Sequence, residues 1–257
     1  SETRGHAPMQ APHLGFQRLQ GGQSLVLVDT GRPAPRGFDA EAHAGTLSFE
    51  LSQGRERLIV NCGGYRGAKP AWRRVVRLSA AHSVLVVGDT NSTEIHAGGN
   101  LGRVPSSVRV ERAEDGGHQW IAATHDGYRR RFGLTYSREL YLAADGDDLR
   151  GEDRLVVVGN GPPRGHGFAI RFHLHPDVQA STTQDGNAVL LKSPNGVFWR
   201  LKAAGAVMNL AESVYLGDGA ARKTQQVVLD GHAGSTGAAV KWALKREAKK
   251  GEKPGEA

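Results

Sequence analysis

Thr46-Leu-Ser-Phe-Glu-Leu51, with Glu41-Ala-His-Ala-Gly45 before it and Leu58-Ile-Val-Asn-Cys-Gly63 after it, decides the fold class of this chain. Leu47, Phe49 and Leu51 fall on one face of an extended backbone, and Thr46, Ser48 and Glu50 fall on the other, as a half-buried strand requires. The spacing therefore predicts a strand over Thr46–Leu51. His43 stands at its mouth, where a sheet holds a side chain rigidly within reach of a ligand.

The same pattern recurs on both sides. Strands are predicted at Ser24–Asp29, Arg57–Asn61, Val75–Leu78, Ser83–Val87, Ser107–Glu111 and Gln119–Thr124. Further strands are predicted at Arg131–Tyr136, Arg138–Ala143, Asp148–Val158, Ala169–His175, Ala188–Lys192, Val197–Leu201, Ser213–Leu216, Gln225–Leu229 and Ala239–Leu244. Almost no segment carries a helical apolar period. Asp126-Gly127, Asp145-Gly146, Asp185-Gly186, Asn195-Gly196 and Asp230-Gly231 supply turn residues between these runs, and tight hairpins use such pairs. The expectation is an all-β chain folded as a large antiparallel β-sandwich, with few or no helices. No fixed-period repeat points to a propeller or solenoid.

A length of 257 residues suits one large domain, and 39% apolar with 23% charged residues is an ordinary globular composition. Residues 1–23 are expected to be a linker or first loop, 24–246 the sandwich, and 247–257 a basic, disordered tail continuing a lysine-rich end that begins near Lys241. No stretch reaches the roughly 20 continuous apolar residues of a membrane-spanning helix. Ser1 to Gln23 lacks the apolar core of a signal peptide. Cys62 is the only cysteine, which excludes an intrachain disulfide and a cysteine-based zinc site and leaves the compartment open. The net charge of +7 favours anionic partners: nucleic acid, anionic lipid or acidic polysaccharide. Aromatics are only 6% and do not interleave with the basic residues, which argues against nucleic acid.

Three groups of residues could carry chemistry. His43 and His82 each stand beside a strand, with Asn61 between them at the end of Leu58-Ile-Val60. Two strand ends could bring the imidazoles together as a metal site, although an asparagine oxygen is a poor zinc ligand and structural hydrogen bonding is the other reading. Arg171, His173 and His175 share one face of a strand, with Phe172 and Leu174 on the other. That polar face could touch an anionic sugar or a metal, or be a plain outer face. His125 and Tyr128 flank a turn that runs into Arg129, Arg130 and Arg131. A polysaccharide lyase uses histidine and tyrosine to move protons at the carbon beside a uronate carboxylate, and arginines bind such carboxylates. Carboxylates from Glu139 to Asp153 invite comparison with glycoside hydrolases, but adjacent arginines make ion pairing the better account. Phosphate loops, nucleophile elbows and paired cysteine nucleophiles are not seen.

Several motifs taken in order resemble the C-terminal β-sandwich of the bacterial heparinase II/III-like proteins. They are the Glu41–Leu51 and Leu58–Gly63 segments, Ala81-His-Ser-Val-Leu-Val-Val87, His125-Asp-Gly-Tyr128, Leu140–Arg154 and Phe172-His-Leu-His-Pro176. The resemblance runs from about Phe16 to about Leu244. It implies a supersandwich-like fold and β-elimination of uronate-containing acidic glycans such as glycosaminoglycans, with an (α/α) toroid as the missing N-terminal partner domain. It also implies a bacterial protein, with the periplasm rather than the cytoplasm as its compartment. Family members place a catalytic histidine two residues before the histidine matched by His43; Glu41 occupies that position, so no catalytic residue is assigned within the chain. Substrate contacts are expected from His125, Tyr128, Arg171 and His173. The family's metal ligands fall on His43, Asn61 and His82, with zinc as the cofactor, and Asn61 in place of an aspartate weakens that site. The alternative is a carbohydrate-binding or scaffolding sandwich without chemistry.

Overall fold

A computed structural model describes residues 10–11, 15–159 and 165–248. Among the described residues, seventeen strands form two antiparallel sheets. The first runs β1 (Gln10–Ala11), β2 (Phe16–Gly21), β3 (Ser24–Asp29), β4 (Phe49–Gln53), β5 (Glu56–Val60), β11 (His166–Leu174), β16 (Arg222–Ala233), β15 (Val207–Tyr215), and β6 (Leu85–Val87) also pairs with β11. The second runs β12 (Gln179–Thr182), β13 (Val189–Lys192), β14 (Phe198–Ala204), β17 (Ala238–Arg246), β10 (Asp148–Val157), β9 (Leu134–Leu142), β8 (His118–His125), β7 (Val108–Asp115). The expected antiparallel sandwich is what the chain forms.

Alternating side chains from the two inner faces make one core. Phe49 of β4 stacks on Trp242 of β17 at 5.6 Å, and Phe172 of β11 meets the same indole edge-on at 5.0 Å. Aromatic pairs in such offset and edge arrangements contribute beyond their buried area. Arg138 of β9 is also interior, with its side chain 1% exposed, and pairs with Asp153 of β10 at 2.7 Å. This guanidinium reaches across the core and donates to the carbonyls of Leu47 and Ser83 at 2.9 and 2.8 Å. Both acceptors lie next to the candidate site.

Several expectations need correction. Phe16–Gly21, placed in an N-terminal linker, is strand β2 paired along its whole length with β3. The opening strand starts at Phe49 rather than Thr46, because Leu47 adopts a left-handed φ of 67° and Thr46–Ser48 makes a tight turn. Leu47 nonetheless stays in the core beside Phe49 and Leu51. Val75–Leu78 is the end of helix α1 (Pro70–Val75) and its following turn. Pro70, pre-set for the first helical turn, was the local signal. Arg131–Tyr136 and Arg138–Ala143 resolve into helix α2 (Arg129–Phe132) and the single strand β9. Asp230-Gly231 is not a hairpin but lies inside β16, where Gly231 leaves room for the Phe168 ring across the strand pair. Lys241 and Lys245, assigned to the lysine-rich end, belong to β17. Of the expected tail, 247–257, Glu247 is held by the Arg200 guanidinium and the Phe198 carbonyl, and the residues from Lys249 on lie outside the described residues.

Candidate functional site

His43 sits on the long connection between β3 and β4, and that connection is held by Arg77. The Arg77 guanidinium, only 6% exposed, donates from Nε to the Ala42 carbonyl at 2.6 Å and from Nη2 to the Asp39 carbonyl at 3.0 Å. Its own carbonyl accepts from the Ala44 amide. Asp39 in turn accepts from the amides of Gly37 and Leu101. The backbone around Glu41–His43 is thus fixed from several directions.

His82 follows a single 3-10 turn, Ser79–Ala81, and packs edge-on against His43 with centroids 5.2 Å apart. Gly45 makes this approach possible, since a β-carbon there would stand 2.6 Å from the His82 ring. His82 Nδ1 lies 2.8 Å from the Leu78 carbonyl, which only a protonated nitrogen can satisfy. His82 Nε2 therefore accepts, and His43 Nδ1–H donates to it at 3.1 Å. The hydrogen-bond pattern assigns the His82 tautomer, and the His43 ring is held by His82 and by the Val76 backbone. Burial drives the His82 pKa down to about 3, helped by the neighbouring His43. Burial, with the Arg77 charge, also lowers that of His43. At neutral pH the pair carries no charge.

The structure thus brings His43 and His82 together as the sequence suggested. Asn61 is engaged elsewhere. Its Nδ2 and backbone amide both donate to Glu50 Oε1, at 3.0 and 3.2 Å, and its Oδ1 accepts the Ser83 amide at 2.9 Å. This donor set does not fit zinc: at most one imidazole nitrogen is free, the asparagine oxygen accepts the Ser83 amide, and the Glu50 carboxylate is turned to the asparagine amide. Among the described residues no three His, Cys, Asp or Glu side chains converge as metal ligands.

The four residues expected to meet substrate are placed mainly inside the protein. Tyr128 is fully buried and donates its hydroxyl to the Leu85 carbonyl at 3.0 Å; burial raises its pKa. His125 is 1% exposed, accepts the Gly127 amide at Nδ1, and is held neutral by burial with a pKa of about 4. His173 does lie opposite Phe172 and Leu174, but that face is covered. Its Nε2 donates to the Ala80 carbonyl at 2.9 Å and its Nδ1 accepts from the Ser213 hydroxyl at 2.7 Å. Only Arg171 keeps partial exposure, with Nη1 donating to Gln226 at 3.3 Å. The interior position of His173 follows from the chain segment carrying Ala80–Ser83, which packs over this part of β11.

A cleft of about 200 Å³ opens beside Glu41 and is lined by Arg73, Arg74, Arg77 and His96. Sequence reading missed these arginines. Their signal was present: between Arg57 and Gly88 there are five further lysines and arginines and no carboxylate. Arg73 and Arg74 are exposed on α1, and Glu41 is the single carboxylate among the cleft residues. Such a mouth suits a carboxylate or sulfate, which guanidinium groups bind with two parallel hydrogen bonds.

The fold and site together define a two-sheet antiparallel β-sandwich module that carries a neutral histidine pair and, at Glu41, an arginine-lined cleft. Residues 3–243 match the family model of the heparinase II/III-like C-terminal region, and the chain belongs to that family. FtsZ-localized protein C of Caulobacter vibrioides is 34% identical over 248 residues, covering 91% of this chain and 42% of that protein. The chain thus spans less than half the length of this curated relative. The heparan sulfate lyase HepC of Pedobacter heparinus superposes with a TM-score of 0.73 at 14% identity, over 93% of this chain and 36% of that one. A crystal structure of heparinase III does so with a TM-score of 0.69 at 16% identity, over 91% and 35%. At such identities the two structures establish the fold alone.

Proposed function

We propose that this chain is the β-sandwich portion of a polysaccharide lyase that cleaves uronate-containing acidic glycans by β-elimination, and that it is inactive without a helical toroid elsewhere in the whole protein. The observation that carries the reading is the arginine-lined cleft at Glu41. Arg73 and Arg74 would bind the uronate carboxylate and offset the negative charge that develops when the adjacent carbon loses its proton. A complete reaction also needs a base for that proton and an acid for the leaving oxygen. The tyrosine of the His125 turn is sealed in the core, and Glu41 stands where the family's sandwich histidine is expected, so the remaining groups would come from the toroid. Absorbance of unsaturated uronate products tests this directly: the whole protein should generate them from heparin, heparan sulfate or alginate, and this chain alone should not. Product from the chain alone, or none from the whole protein on any acidic glycan, overturns the reading.

A second reading, a carbohydrate-binding or scaffolding sandwich without chemistry, draws on the closed Glu50–Asn61–Ser83 network, which leaves no metal site in the ligand positions. The name of the Caulobacter relative agrees with a scaffolding role near FtsZ. The whole protein would then bind acidic glycan without cleaving it, or co-localise with FtsZ. Periplasmic fractionation would favour the lyase.

A further inference from the structure

The outer face of the second sheet carries a cavity of about 960 Å³, whereas His43 and His82 lie on connections next to strands of the first sheet. Strand register builds it. One row across the sheet reads Ala113, Trp120, Tyr141, Arg150, Ala243, Lys202, on β7, β8, β9, β10, β17 and β14. The next row reads Glu111, Ala122, Glu139, Glu152, Lys241, Ala204. Alanines beside long side chains leave a trough where a fully solvated face would fill with polar chains.

From this geometry we infer that the trough is a binding groove for an acidic oligosaccharide, a site beyond the proposed lyase cleft and independent of it. Trp120 is 38% exposed and packs against Tyr141 with centroids 5.2 Å apart, forming an aromatic platform at one end. The π-face of such a platform attracts the polarised C–H face of a sugar ring. Arg150 lies 5.6 Å over the Tyr141 ring and is braced by Asp148 at 2.6 Å, so its position is set before a ligand arrives. Beyond it, Lys202 is exposed and has no carboxylate within ion-pair distance among the described residues.

The charges select an acidic ligand. The Trp120 row contains two cations and no carboxylate. In the neighbouring row Glu152 and Glu139 are turned toward Arg154, at 2.7 and 3.8 Å, and Glu111 lies at the β7 end, away from Lys202. From Trp120 to Lys202 there are four strand intervals, or about 19 Å at the usual spacing. A sugar chain lying across the strands would stack one ring on Trp120, which Tyr141 buttresses, and present carboxylates or sulfates to Arg150 and Lys202.

The test is titration of the purified chain, at fixed salt, with heparin-derived and alginate oligosaccharides and with neutral malto-oligosaccharides as control. Trp120→Ala and Lys202→Glu, both surface changes, should each weaken acidic oligosaccharide binding about tenfold, the usual scale for truncating a binding anchor. Binding should also fall as salt rises, and the neutral sugar should bind far more weakly. An Arg73→Ala/Arg74→Ala variant should lose only the binding owed to the cleft and keep the part that depends on Trp120 and Lys202. Three results would overturn the inference: unchanged affinity in the Trp120 and Lys202 variants, loss confined to the Arg73/Arg74 variant, or a dimer that Trp120→Ala converts to monomer without any glycan binding. Failure of the whole protein to cleave glycans would leave a positive result here intact.

Discussion

Replacing Arg138 by leucine should be the most damaging single change in this molecule. The Arg138 and Asp153 side chains are 1% and 0% exposed, and the guanidinium is the cation paired with that carboxylate. The Tyr136 hydroxyl and the Trp242 indole also donate to Asp153, at 2.5 and 2.8 Å, so the carboxylate keeps hydrogen bonds but loses its counter-charge. Breaking one side of a buried pair in this way costs about 3–5 kcal/mol. The Leu47 and Ser83 carbonyls lose their donor at the same time, each worth about 1 kcal/mol or more where water cannot replace it. These terms overlap, and about 4–5 kcal/mol is expected, a large share of a domain's typical 5–15 kcal/mol. The corresponding fall in Tm is about 8–20 °C for a chain of this size. Urea unfolding followed by tryptophan fluorescence reads the change, since Trp242 contacts the network. An Arg138→Met/Asp153→Leu double variant should lose less than Arg138→Leu alone, because no unpaired charge remains. A loss below about 1 kcal/mol for Arg138→Leu, or a double variant worse than the single, would refute the reasoning.

Other outcomes follow from the same geometry. His82, His125 and His173 have folded pKa values near 3, 4 and 4, below the ordinary 6.5. Their stabilisation is complete above 6.5 and is lost as pH falls, because the unfolded chain takes up the proton first. Each should cost about 2 kcal/mol between pH 7 and pH 5, and His125→Gln should flatten that loss by about one such step in denaturant titrations at the two pH values. Gly45→Ala should destabilise by about 1–3 kcal/mol through overlap with the His82 ring, and by clearly less in a His82→Ala background; equal losses in both would remove the packing argument. Zinc in the dialysed protein should be substoichiometric by elemental analysis, whereas a full equivalent lost in both His43→Ala and His82→Ala would show that the histidine pair rearranges to hold metal.

Much of the fold was legible because its information is local. Strand β3 begins and ends where alternation places it, and Gly146, Gly186 and Gly196 take positive φ at the predicted turns. β2 was hidden because Gln17, Arg18 and Gln20 surround its one fully buried leucine, Leu19, and its partner strand supplies the reason for its extended form. Short apolar runs such as Val75-Val-Arg-Leu78 cannot distinguish helix end from strand by periodicity.

The site divided in the same way. The meeting of His43 and His82 could be anticipated from two strand ends, whereas their tautomers depend on the Leu78 carbonyl and could not. Burial of His125 and Tyr128 depends on loops from distant sequence, including Arg103, which donates to the carbonyls of Asn91, Ser92 and Gly127. Polarity and neighbouring arginines made those two residues look like substrate contacts; nothing local indicated that they would be enclosed.

The central claim, that this sandwich contributes a carboxylate-binding mouth but not a complete acid–base pair, is tested most directly by measuring unsaturated uronate release from one acidic glycan by the chain, the whole protein, and the whole protein carrying Arg73→Ala/Arg74→Ala. The account predicts no product from the chain, product from the whole protein, and a raised KM in the double variant. Product from the chain alone, or an unchanged KM in the double variant, would contradict it.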